Sequence, residues 1–136
     1  MGGSGAGITF TLDASAILAI LFDEPGGDHV FAHLRGSEIS VINLSEVYAT
    51  LMDGGMSFDM AREIVEPLPM RIRNFREAHG WQVAQLRPLT KSFGLSLGDR
   101  ACITQAMFNH LPILTADRRM EAAKSLLGID IRLIRP

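Results

Sequence analysis

Asp13 interrupts the most apolar stretch of the chain, ITFTLDASAILAILF (8–22). Burying an unpaired carboxylate there costs several kcal/mol even after the site relaxes. Three further acids hold similar positions, each beside the junction of a strand and a helix: Glu46 in INLSEV, Asp99 in SLGDRA and Asp117 in ILTADR. Each has a plain reading as a helix cap, because a side-chain oxygen at a helix start satisfies free N–H groups and the helix dipole favours its charge. Asn43 to Glu46 and Ser96 to Asp99 both have capping-box spacing. Ser, Thr or Asn would cap as well without mutual repulsion. Four carboxylates gathered on one sheet edge raise each other's pKa unless a cation neutralises them. Oxygen-only ligands select a hard cation, Mg²⁺ or, in its place, Mn²⁺. Such an ion on a sheet edge suits hydrolysis of a phosphodiester by activated water.

The elements that must position these acids follow from periodicity. ITFTL (8–12) reads as a strand, and Ala14, Ile17, Leu18, Leu21 and Phe22 form a helical stripe ended by EPGG. A short helix over 28–34, a strand over 38–42, and a helix carrying Leu44, Val47, Tyr48 and Leu51 come next. Ser57 caps a helix that closes at Pro67 and Pro69; MRIRN (70–74) is a third strand, followed by a helix over 75–86. SFGLSLG (92–98) is a loop, Leu97 to His110 a helix, PILT (112–115) a strand, Arg118 to Leu127 a helix, and residues 129–134 a last strand. Strands alternating with helices call for a parallel sheet covered on both faces, with its ligands at the carboxyl ends of the strands. If strands one, two and four are neighbours, the four acids meet there.

The totals set the frame. A chain of 136 residues is read as one domain, 8–136, behind a flexible tail or engineering scar (MGGSGAG, 1–7). The longest uncharged apolar run, 14–22, is far short of the roughly 20 residues of a membrane span, so no membrane association is expected. Cys102 is alone and reads as core; a reducing, cytoplasmic compartment fits it. The net charge of −2 is uneven: residues 1–60 hold one Arg and eight acids, whereas 61–136 hold twelve Lys or Arg and seven acids. Arg71, Arg73, Arg76, Arg87 and Lys91 are either a solvated face or a phosphate-facing surface.

Other candidates carry less. His29 and His33 have i, i+4 spacing without a third ligand, and Trp81 reads as packing rather than as a stacking platform for a base. Glu77, at capping-box spacing from Asn74, reads as a cap. No GxxxxGK[ST] loop is present. A phospho-receiver domain is not expected, because the third strand has no acceptor Asp and the last no Lys. Arg100 and Arg118 flank two of the acids, either to hold a scissile phosphate or to form salt bridges.

TLDASAIL (11–18), INLSEVYA (42–49), GLSLGDRACI (94–103) and PILTADRRM (112–120) occur in an order and spacing that resemble the PIN-domain nucleases. Within them they are similar to the VapC-type toxins of bacterial toxin–antitoxin pairs. The resemblance implies a three-layer α/β/α fold with a four- or five-stranded parallel sheet, order 3-2-1-4-5. It further implies Mg²⁺-dependent endonucleolytic cleavage of RNA, a homodimer and inhibition by a cognate antitoxin. Asp13, Asp99 and Asp117 would be metal ligands, Glu46 would orient water or metal, and Ser15 would give a supporting hydrogen bond. Some members carry another acid where this chain has Arg119, which leaves one strong metal site as the implied minimum. A catalytically silent module of the same fold, binding RNA or a protein partner, is the alternative.

Overall fold

A computed structural model describes residues 9–136. The tail expected over 1–7 lies outside the described residues. Five short parallel strands form one sheet in the order β3-β2-β1-β4-β5. They are β1 (Thr11–Leu12), β2 (Glu38–Ser40), β3 (Arg71–Arg73), β4 (Ile113–Thr115) and β5 (Ile131–Leu133). Thr11 lies opposite both Glu38 and Ile113, and Leu12 opposite both Ile39 and Leu114, so the central strand sits between the two that precede acid-bearing helices.

Strand alternation sorts the side chains into two cores. Leu12, Ile39 and Leu114 join Ala16, Ile17, Val47, Leu51 and Val65 on one face. That face is covered by α1 (Ala14–Leu21), α2 (Gly27–Ala32), α3 (Val41–Asp53) and α4 (Phe58–Val65). Ile113 and Ile131 join Leu86, Cys102, Ile103, Ala106 and Met120 on the other. Here lie α5 (Glu77–Thr90), α6 (Leu97–Asn109), α7 (Arg118–Ala122) and α8 (Lys124–Leu127), with a 3₁₀ turn at Lys91–Phe93. The three-layer α/β/α arrangement and the strand order are those expected. Gly26 is required where it stands: its φ is +91°, and a Cβ there would come within 2.4 Å of the Ile134 carbonyl oxygen.

Several boundaries differ from expectation. The second strand ends at Ser40, because Ser40 Oγ accepts from Asn43 N and starts α3 two residues before the β-branched Val41-Ile42 pair would suggest. The helix expected over 118–127 breaks at Ala123 into α7 and α8. Helix α5 runs through Pro88 to Thr90. Glu77 opens it rather than capping it, and His79 Nδ1 takes the Arg76 N–H instead. Trp81 does not pack: it is 63% exposed, because His79, Val83 and Leu86 form the inward face of α5 and residue 81 falls opposite them. Cys102 is fully buried, as expected.

Candidate active site

Asp13 follows β1 and caps α1, accepting from Ala16 N at 3.1 Å through Oδ1. The residue is 5% exposed. Ser15 Oγ donates to the same oxygen at 2.6 Å, and Thr115 Oγ1 donates to Oδ2 at 2.5 Å. These hydroxyls also tie the end of β4 to the site, Ser15 Oγ accepting from Ala116 N and Thr115 Oγ1 from Asp117 N. Among the described residues no cationic side chain pairs with Asp13. Burial drives its pKa to about 6; the three hydrogen bonds oppose the rise and the charge of Asp99 adds to it.

Glu46 does not cap. With α3 starting at Val41, it lies in the second helical turn, and the neighbouring Asn43 organises it. Asn43 is buried, accepts from Ser40 Oγ, and donates through Nδ2 to Glu46 Oε1 and to the Gly98 carbonyl, both at 2.9 Å. The Glu46 carboxylate therefore lies against the first turn of α6. A Cβ on Gly98 would come within 2.1 Å of Glu46 Oε2. Asp99, the next residue, completes a capping box, its Oδ2 accepting from Ser96 N at 2.8 Å. Asp13, Asp99 and Glu46 all act on the same buried thiol: Cys102 is pushed well above its usual pKa by burial first and then by these three charges.

Asp117 caps α7 and is turned towards Arg119. Its Oδ1 accepts from Arg119 N at 2.8 Å, and Arg119 Nη2 lies 3.1 Å from Oδ2. Partial burial raises the Asp117 pKa, but hydrogen bonds from Arg119 and its charge outweigh that and hold the carboxyl below its usual range. Arg119 Nη1 also donates to the Gly94 carbonyl at 3.0 Å.

The PIN domain family profile matches residues 10–126. The chain belongs to the PIN domain family. The PIN fold is also that of solved relatives. DNA-bound VapBC from Salmonella typhimurium is 18% identical with a TM-score of 0.71, over 94% of this chain and 99% of that one. VapBC2 from Rickettsia felis, bound to a promoter DNA fragment, is 15% identical with a TM-score of 0.69, over 93% and 98%. The sarcin-ricin-loop-cleaving VapC toxin of Mycobacterium tuberculosis is 15% identical with a TM-score of 0.68, over 85% and 95%. No curated protein matches the sequence.

Within this PIN domain the four acids are not equivalent. The charges of Asp13, Glu46 and Asp99 all bear on the Cys102 thiol, and Asp99 also on Asp13, whereas Asp117 is engaged by its own cation. Among the described residues no three of Asp, Glu, His and Cys come close enough to enclose an ion. Magnesium dehydrates reluctantly and is commonly held by one or two carboxylates with several waters, so the all-oxygen donor set still fits a divalent cation. Arg100 spends a guanidinium N–H on the Val83 carbonyl of α5, at 2.9 Å, and Arg118 is exposed and forms no ion pair among the described residues. His29 and His33 stack edge-to-face, centroids 4.9 Å apart. Sequence reasoning missed Thr115, Asn43 and Gly98. A Thr two residues before an acid, and an Asn three before one, were the available signals.

Proposed function

We propose that this PIN domain is a Mg²⁺-dependent endoribonuclease, with Mn²⁺ as a working substitute, and the toxin of a type II toxin–antitoxin pair. The observation that carries the reading is Asp13: a carboxylate 5% exposed, with no cationic partner among the described residues and a pKa of about 6. A cap alone needs no such charge. Asp13, Asp99 and Asp117 would hold the metal, and Glu46, aimed by Asn43, would orient the attacking water. When bound, a divalent cation lowers the pKa of a water and offsets charge on the phosphoryl oxygens. Ser15 and Thr115 hold Asp13 in one orientation, leaving their partner carboxylate little freedom to turn away. Arg100 and Arg118 would meet the scissile phosphate, Arg100 after exchanging its bond to Val83 O. The VapBC relatives support an antitoxin partner, and the proposal is completed by a homodimer acting in the cytoplasm, where RNA is met.

Structured RNAs incubated with Mg²⁺ or Mn²⁺ are expected to be cut, and chelator or Asp99→Asn to stop the cutting. Chelator-insensitive cleavage, or an Asp99→Asn variant as active as wild type, would refute the assignment. Arg119 should act as a built-in competitor for Asp117. Arg119→Ala is therefore expected to tighten the apparent Mg²⁺ affinity a few-fold, read from the Mg²⁺ dependence of cleavage. Unchanged or weaker affinity would show that the ion pair is only a surface contact.

A second reading has its own support, since Asp13, Asp99 and Asp117 each accept a local backbone N–H. On it the chain is a catalytically silent module for RNA or a protein partner. Its mark would be no calorimetric Mg²⁺ binding at millimolar concentrations.

A further inference from the structure

A second polar cluster lies at the other end of α6. Glu38 opens β2 and is 2% exposed, yet it carries a carboxylate. Arg73 Nε donates to its Oε1 at 2.9 Å, Gln105 Nε2 to Oε2 at 2.9 Å, and Asn109 Nδ2 to Oε2 at 2.5 Å. Arg73 is thus gripped through Nε alone, and its two terminal amino groups form no hydrogen bond among the described residues. This is the arrangement by which a buried acid preorganises a guanidinium fork for an anion. Arg71 and Arg76 stand beside it on the wall of a cleft of about 700 Å³, within the usual range for small-ligand sites. Three guanidiniums against one carboxylate leave the cleft net positive.

The same wall carries an aromatic column. His79 stacks on Phe75 at 4.8 Å and on Phe108 at 4.3 Å, and Phe108, at the cleft, is 39% exposed. Burial, then the charge of Arg76, lowers the His79 pKa and keeps its ring neutral near pH 7. Gln105 Oε1, on the lining residue beside Glu38, is buried with no donor among the described residues. Asp99 and Asn109 are ten residues apart on α6, about 15 Å along the helix, so this cleft is separate from the acids.

We infer that the cleft between β2, β3 and the end of α6 binds a nucleotide, its phosphate on Arg71, Arg73 and Arg76 and its base against Phe108. Arginines combined with an exposed ring on a stacked column are the means by which proteins hold single-stranded nucleotides without a sequence code. The nucleotide is either free or one residue of an RNA strand; the phosphate and ring chemistry is shared. The inference does not depend on the nuclease reading, because it uses none of the four acids.

The test is calorimetric titration of the full chain in chelator-containing buffer with 5′-AMP, an oligoadenylate five residues long, and inorganic phosphate. Saturable AMP binding, tighter than that of phosphate, is expected. Arg71→Ala with Arg76→Ala should weaken it about tenfold, and Phe108→Ala should reduce it to the level of phosphate. Arg73→Lys keeps a charge for Glu38 but removes the fork, and should weaken binding several-fold with the fold intact by circular dichroism. Tighter binding of the oligoadenylate than of AMP assigns the cleft to an RNA strand; equal binding assigns it to a free nucleotide. No saturable binding, AMP no tighter than phosphate, or insensitivity to the arginine variants would each overturn the inference. Asp99→Asn should leave this affinity unchanged, which separates its failure from that of the nuclease assignment.

Discussion

Asp13→Asn is expected to reduce RNA cleavage by about a hundredfold or more while raising the thermal midpoint of the metal-free protein at pH 7.5. The sign follows from proton linkage. The folded protein holds the Asp13 proton up to about pH 6, whereas the ordinary carboxyl releases it near 3.8. Between those values the unfolded chain binds fewer protons than the native one, so stability falls as pH rises through the window and stays lower above it. A gap of about two pKa units corresponds to roughly 3 kcal/mol at full effect. Asn removes the buried charge but keeps one acceptor for Ala16 N, so only part of that stabilisation is recovered. Thermal denaturation at pH 4 and 7.5, with and without Mg²⁺, measures it. The variant's advantage should shrink at pH 4, and Mg²⁺ should raise the midpoint of wild type only. A variant less stable than wild type at pH 7.5 would mean that the carboxylate is there for its caps.

Gly98→Ala is expected to lower activity by about a hundredfold with little loss of stability. The added Cβ would fall within 3 Å of three atoms of the Glu46 carboxyl group. That group is the far end of a flexible side chain, so it can swing away at small cost. It then loses the Asn43 Nδ2 bond that aims it along the first turn of α6. Cleavage assays beside denaturant melts separate the two effects. A variant with full activity would show that the position of Glu46 is immaterial to the chemistry.

The strand-to-helix junctions were legible because acids and capping residues stand directly after β-branched runs, as at Thr11-Leu12-Asp13 and Leu114-Thr115-Ala116-Asp117. The start of α3 was not. Val41 and Ile42 favour a strand by local preference, and both Ser40 and Asn43 can cap, so tertiary packing decided between them. That choice changed Glu46 from a cap into a free carboxylate held by a buried amide. The Asp117–Arg119 pair was visible as a departure from the family pattern, but its direction was not, since a guanidinium two residues away can point either way. Glu38 and Asn109 are 71 residues apart in sequence, and no local pattern announces that they meet. Trp81 failed for a simpler reason: the blurred stripe of α5 hid which face was inward.

Paramagnetic broadening by Mn²⁺ in an isotope-labelled sample tests the central claim most directly. At substoichiometric Mn²⁺, the backbone amide signals of residues 13–16, 98–99 and 115–117 should disappear first, and Asp13→Asn should abolish the selectivity. Uniform broadening, or loss centred on His29 and His33 or on Glu38 instead, would contradict the account.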